Sequence, residues 1–299
     1  MGAGRFAPSP SGDMHIGNLR TALLAWAWAR RSGRKFVLRV EDIDRVREGA
    51  AQRQIEDLQA LGVDWDGEVL FQTTRHAAHE EAIARLKERG LLFECYCSRR
   101  DIKEASSAPH VRPGSYPGTC RNLTDEERAE ARERLAKVGR APALRLNPMV
   151  DEWSVEDELF GTVTEPIDCV VLQRGDGTLA YNLAVVVDDD FQGVDQIVRA
   201  DDLLSSAPAQ AYIAHALGYE QPRYAHVPLV INEEGARLAK RDGAVTLREL
   251  TGLGMSVADV VEQISGSLGF EARSAEEFLR VFDPALMTRE PWVFVPPEA

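Results

Sequence analysis

Long apolar runs are missing from this chain of 299 residues: runs such as "LAVVV" at 183–187 are short. A membrane-spanning helix needs roughly 20 such residues, so a helical membrane protein is excluded. Residues 1–15 carry no apolar signal-peptide core, and the expectation is a cytoplasmic protein. Cysteine is scarce, with four residues at 95, 97, 120 and 169, too few for a disulfide scaffold; a reducing compartment would keep them as thiols. Positive charge is outnumbered, 35 Lys and Arg against 48 Asp and Glu, and the net charge of -13 argues against indiscriminate coating of nucleic acid while permitting a local basic face. No G-x-x-x-x-G-K-[ST] phosphate loop and no G-x-G-x-x-G turn occurs, so any nucleotide must be held by other means. Repeats and low-complexity blocks are absent as well.

What is present is an ordinary globular composition, 44% hydrophobic and 28% charged, long enough for a full core and more than one domain. Residues 5–10 read as a short strand, Ser11 and Gly12 as a turn, and 16–31 as a helix with Leu19, Leu23 and Trp26 at helical spacing and Gly33 as its stop. "KFVLRVEDID" reads as a strand ending in carboxylates, and helices follow at 48–61 and 75–89, closed by Gly62 and Gly90. This alternation predicts a Rossmann-like parallel α/β sheet. Residues 91–165 read as an insertion: a short strand, a Ser/Pro/Gly-rich loop, and a charged helix that Thr124 can cap together with Glu127. Strand signals return in "IDCVVLQ" and "LAYNLAVVVDD" around the turn "RGDGT", and a helix follows Pro208. The predicted organisation is a first catalytic half at 1–90, an insertion at 91–165, a second half at 166–244, and a short helical region at 245–299.

Two stretches draw attention as chemistry. In "RFAPSPSGDMHIGN", residues 5–18, small residues and a helix start near Ile16 suit an approaching phosphate, with His15 at the entrance; alone, such a histidine is more often a simple helix cap or a packing residue. Far downstream, "NEEGARLAKRDGA" places Arg237, Lys240 and Arg241 on a glycine-flanked loop, fit to neutralise a polyphosphate or to be a plain solvated surface. Cys95, Cys97 and Cys120 lie within 26 residues, and spacing alone leaves metal ligands and reduced core thiols both open. Cys169, in an apolar run, reads as core. Two basic groups, Arg99, Arg100 and Lys103 beside the cysteines and Arg30, Arg31, Arg34 and Lys35 after the first helix, are candidate RNA contacts or solvated faces.

Taken together, the motifs resemble those of class I aminoacyl-tRNA synthetases. "HIGN" at 15–18 is similar to the HIGH motif and "RLAKR" at 237–241 to the KMSKS motif, while "LRVEDID", "YNLAVVVDD" and "VRADDLL" point to the glutamate-specific branch over residues 5–245. The resemblance implies a Rossmann-like class I catalytic domain with an inserted zinc-binding subdomain. Its length resembles the shortened members of that branch, which lack a large helical anticodon-binding region and attach glutamate to the queuosine base of tRNA(Asp). For the zinc it implies Cys95, Cys97, Tyr116 and Cys120 as ligands, through C-x-C followed by Y-x-x-x-C.

The same resemblance implies ATP-dependent formation of glutamyl-adenylate, with Mg2+ sharing the phosphate charge. His15 and Lys240 would be the catalytic positions; His15, Gly17, Asn18 and Lys240 would bind ATP. Arg5, Phe6, Ala7, Pro8, Ser9, Glu41, Tyr181 and Arg199 match the substrate-contact positions for L-glutamate, Glu41 toward its ammonium; without the resemblance, Glu41 and Arg199 read as a surface salt bridge and Tyr181 as core. The implied partners are L-glutamate, ATP and queuosine-bearing tRNA(Asp), with no membrane and a monomeric chain. Departures from the pattern are Ala239 for the usual serine, Ala200 for the common glycine, and a long 98–115 segment. The competing readings are a ligase of the same fold with another tRNA or a small amine as acceptor, and a non-catalytic RNA-binding or sensor module.

Overall fold

The computed structural model describes residues 2–98, 100–102, 115–238, 243 and 245–297. The predicted order of the opening holds, but its first strand lies earlier than residues 5–10: β1 (Ala3–Phe6) is buried along its length and gives way to a loop at Ala7, α1 spans Ile16–Arg31, β2 spans Lys35–Val40 and α2 spans Ala50–Leu61. Gly4 is what lets β1 lie against α1, because a Cβ there would come 2.7 Å from that of Ala29. After β3 (Leu70–Phe71) and α3 (His76–Glu88) the chain forms β4 (Leu92–Cys95), α4 (Asp125–Ala136), β5 (Ala143–Leu146), β6 (Glu152–Asp157), β7 (Gly161–Pro166) and β8 (Val171–Gln173). Thr124 and Glu127 cap α4 reciprocally, as their spacing predicts.

The expected strand "LAYNLAVVVDD" is a helix, α5 (Tyr181–Phe191). Its valines favour a strand by propensity, but an uninterrupted apolar run serves a buried helix equally well, and residues 183–189 are all buried here. It packs on α3 and on α6 (Ala207–Leu217), the helix predicted after Pro208. "IDCVVLQ" supplies only β8, which pairs with β5 and not with the main sheet. The sheet resumes instead at β9 (Val194–Ala200) and β10 (Arg223–Val227), for which the sequence reading had no strand.

The main sheet has the order β3-β2-β1-β9-β10-β6-β7. Its β3, β2, β1, β9, β10 and β6 pair in parallel, and β7 closes the edge as an antiparallel hairpin with β6. The β6–β7 hairpin, which falls within the 91–165 segment by sequence, thus hydrogen-bonds to the main sheet at Asp157 and Tyr224. The small antiparallel sheet β4-β5-β8 stands apart from it.

Near the C-terminus lie α7 (Leu247–Gly252), α8 (Val257–Gly266) and α9 (Ala275–Val281); β11 (Val230–Ile231) pairs with β12 (Trp292–Val293). These helices share one core with α1: Leu19, Leu23 and Trp28 join Val260, Ile264, Phe278 and Phe282. Each fully buried leucine there contributes about 1.5–3 kcal/mol. The helix α1 is therefore covered on the side away from the sheet, and its N-terminus is left to face a cleft.

Candidate active site

The loop from Ala7 to Met14 owes its shape to its prolines. Proline donates no backbone hydrogen bond, so Pro8 and Pro10 serve only as acceptors, from the Glu41 and Arg47 amides at 3.0 and 2.8 Å. Buried Gln54 on α2 fixes the loop from below, donating to the Ser9 and Gly12 carbonyls at 3.1 and 2.7 Å. The loop borders a cleft of about 600 Å³ at the C-terminal ends of β1, β2 and β9, where open parallel sheets place ligands. Arg5, Phe6, Ala7, Pro8, Ser9, His15, Asn18, Glu41, Tyr181 and Arg199 all line it; Gly17 and Lys240 are not among the lining residues described.

His15 is both the cap and the entrance residue. Its Nδ1 accepts from the Asn18 amide at 3.3 Å while its own amide donates to Asn18 Oδ1 at 3.2 Å, a reciprocal cap on α1. An accepting Nδ1 leaves the proton on Nε2. Burial, then the nearby Arg237 guanidinium, lowers the His15 pKa from 6.5 to about 4. Gly17 adjoins the ring so tightly that a Cβ would lie 2.9 Å from His15 Cε1, which gives this glycine a steric reason. Because the folded-state pKa is below the unfolded one, the cap's stabilisation is full above pH 6.5 and is lost as pH falls toward 4. In an NMR titration of the imidazole nitrogens His15 should stay neutral down to about pH 4; a midpoint near 6.5 would refute this account.

Lys240 and Ala239 lie outside the described residues, as does Arg241. The flanks of their loop are anchored in the core, Leu238 and Val245 being 2% and 0% exposed. The Val245 carbonyl accepts from the Ile16 amide at 2.8 Å, and Thr246 bridges His15. The chain that follows the second motif is thereby tied to the head of α1. Arg237 reaches the cleft and pairs with Asp202 at 2.6 Å.

Glu41 and Arg199 are buried, which sets aside the surface salt-bridge reading. Glu41 lies 3.3 Å from Arg39, whose guanidinium also meets Asp189 at 2.8 Å; Asp189 in turn meets Arg5 at 3.4 Å. Burial raises the Glu41 pKa, with Arg39 and Arg5 opposing, whereas at Asp189 the same two arginines outweigh burial and lower it. Tyr181, at the start of α5, is 42% exposed and so is not core. Ala200 has φ -65 and ψ 147, a conformation open to any residue, so no glycine is required beside Arg199. Sequence alone assigned no role to Arg39, Asp189 or His226, which do not line the cleft but touch Glu41, Arg5 and Arg199, which do.

Cys95, Cys97 and Cys120 bring their sulfurs within 4.8 Å of one another. The Tyr116 hydroxyl lies 3.5 Å from the Cys95 sulfur and 3.8 Å from that of Cys97, and Cys97 and Cys120 are 3.5 Å apart. Tetrahedral thiolates on zinc, with Zn–S of about 2.3 Å, stand roughly 3.7 Å apart, so the donor set fits. Burial and then the neighbouring Cys120 and Cys95 push the Cys97 thiol up to about 12, the behaviour of crowded acids that a central cation would relieve. Burial would also raise Cys95, but hydrogen bonds to Tyr116 and Arg145 outweigh it and lower its pKa. Cys169 is buried in the same small core.

The basic group after α1 is largely neutralised: Arg30 pairs with Asp64 and Asp66, Arg31 with Asp283 and Arg34 with Asp195. Of the other group, Arg99 and Lys103 lie outside the described residues. No helix among those described is long and apolar enough to cross a membrane.

Residues 3–289 match the family described as tRNA synthetases class I (E and Q), catalytic domain. The chain is 58% identical over 292 residues to a glutamyl-Q tRNA(Asp) synthetase of Nocardia farcinica, covering 98% of this chain and 93% of that one. It is 40% identical to glutamate–tRNA ligase 1 of a Methylobacterium species, covering 96% of this chain but 61% of the ligase. A crystal structure of glutamate–tRNA synthetase from Elizabethkingia anophelis has the same fold, with a TM-score of 0.83 at 22% identity over 98% of this chain and 68% of that one. The chain is thus an ATP-dependent aminoacyl-tRNA ligase and belongs to the class I tRNA synthetases of the glutamate and glutamine type, among the glutamyl-Q tRNA(Asp) synthetases.

Proposed function

We propose that this enzyme activates L-glutamate with ATP and transfers the glutamyl group to the queuosine base of tRNA(Asp). The observation that carries the activation step is one cleft holding the capped head of α1, two buried arginines and a buried glutamate. The acceptor follows the relatives named glutamyl-Q tRNA(Asp) synthetase, of which the Nocardia protein is matched over 93% of its length.

In this reading Arg5 and Arg199 hold glutamate carboxylate oxygens, Glu41 takes the ammonium, and Tyr181 and Ser9 close the pocket. The Nε2–H of His15 and the positive end of α1, with Gly17 and Asn18 in its first turn, face the ATP phosphates. Lys240, on the loop anchored beside His15, adds a mobile positive charge, and Mg2+ bound with ATP would neutralise more of the phosphate charge. The substrate carboxylate is already a nucleophile: it attacks the α-phosphorus and pyrophosphate departs, with no protein base needed. Catalysis is then placement of two anions and neutralisation of the leaving group. Cys95, Cys97, Tyr116 and Cys120 would hold zinc, whose contribution is to cross-link the segment between β4 and β5.

Transfer of labelled glutamate by the purified protein to tRNA(Asp) with and without queuosine, tRNA(Glu) and an unrelated tRNA tests the acceptor. Label on queuosine-bearing tRNA(Asp) alone is the expected result. Label on tRNA(Glu) would make the protein a minimal glutamate–tRNA ligase. Adenylate formation without RNA labelling would favour a small-molecule acceptor.

A further inference from the structure

Arg199 differs from the other arginines of the cleft in what holds it. Arg5 meets Asp189, a carboxylate it shares with Arg39 behind the cleft, while Arg45 meets Asp44 and Arg237 meets Asp202. Arg199 instead donates from Nε to His226 Nε2 at 2.9 Å, from Nη1 to Gln210 Oε1 at 2.7 Å and from Nη2 to the Leu203 carbonyl at 3.2 Å. All three partners are neutral acceptors, and among the described residues no carboxylate forms an ion pair with Arg199. A guanidinium carries five N–H groups, so one remains on each terminal nitrogen. Arg199 is only 5% exposed, yet it lines the cleft. Its orientation is fixed while its charge is left for an anion.

The imidazole is itself held. Since Nε2 accepts from Arg199, the proton sits on Nδ1, which lies 2.6 Å from Asp157 Oδ2. The same oxygen accepts the His226 amide at 3.1 Å, and Oδ1 accepts the Leu159 and Phe160 amides at 2.9 and 3.0 Å. Four donors thus keep the carboxylate in one place at the end of β6, and the His226 ring stacks on Tyr224 at 5.7 Å. Buried relays of this kind set the tautomer and aim of the group they support.

We propose that His226 and Asp157 are positioning residues for substrate recognition: the pair fixes the Arg199 fork toward the glutamate carboxylate without neutralising it. This rests on the reading of Arg199 as a carboxylate-gripping residue. It also gives β6 a task, since its pairing with β10 is what sets Asp157 against His226.

The test is glutamate-dependent pyrophosphate exchange, with KM for glutamate and for ATP and kcat measured separately, and thermal midpoints for every variant. His226→Phe keeps a ring on Tyr224 but removes the acceptor; it should raise the glutamate KM about 10- to 30-fold, the effect of one charge-assisted hydrogen bond, with the ATP KM within about twofold. His226→Gln, whose Oε1 can accept from Arg199, should recover most of that loss. Asp157→Asn should raise the glutamate KM in the same selective way, and serves if His226→Phe does not fold. Equal glutamate KM values for the Phe and Gln variants, or both KM values rising together with a lowered midpoint, would reduce the pair to a structural role. Arg199→Ala separates the two layers: if it leaves the glutamate KM unchanged, the Arg199 reading fails, whereas if it raises KM and neither His226→Phe nor Asp157→Asn does, only the positioning proposal fails.

Discussion

Glu41→Gln should raise the KM for glutamate in pyrophosphate exchange by roughly 100-fold or more while leaving the KM for ATP within about twofold. Two effects add. The amide no longer attracts the substrate ammonium, and a hydrogen bond to a charged group is worth about 1.5–3 kcal/mol. The four buried groups Arg5, Arg39, Glu41 and Asp189 are also balanced, two positive and two negative, and neutralising Glu41 leaves an excess positive charge beside the ammonium. The side chain keeps its shape, so the sheet should be undisturbed; an unchanged glutamate KM would take Glu41 out of the ammonium site. Burial raises the Glu41 pKa. Ammonium binding should therefore weaken as pH falls through that raised value, because protonation there produces the same neutral side chain.

Metal removal should have an effect as large, but in a different place. Chelation, or Cys120→Ser, should abolish stoichiometric zinc and expose the segment between β4 and β5 to proteolysis. Structural zinc sites draw about 10–16 kcal/mol of apparent binding energy into folding, more than a three-stranded sheet of this size can replace. The main sheet has its own core, built from α1 and the C-terminal helices, so glutamyl-adenylate formation should survive better than transfer to RNA. Protein purified without chelator that contains no zinc, or a Cys120→Ser variant with unchanged protease resistance, would leave the three cysteines as core thiols.

Much of the site was legible because its chemistry is local. The proline-rich loop, the cap at the head of α1 and the cysteine spacing are properties of contiguous residues, and short-range sterics and hydrogen bonding fix them wherever the chain goes. Helices bounded by glycine, such as α2, were legible for the same reason. The misreading of α5 has the opposite origin. "LAVVV" satisfies a strand and a buried helix equally, and what selects the helix is the apolar surroundings that α3 and α6 supply. Likewise nothing local marks β9 or β10, which pair with each other but whose outer partners, β1 and β6, lie far away in sequence.

Long-range pairing decided the rest. Asp157, His226 and Arg199 are spread over some 70 residues and belong to three strands, and their relay exists only because parallel pairing aligns the ends of β6, β9 and β10. Val245 closes on Ile16 in the same manner, across most of the chain. Residue order carried the identity of the charged groups and the shape of each loop. Which of those charges face one another, and which stay available to a ligand, depends on desolvation and on distances between strands, and these arise only once the sheet has assembled.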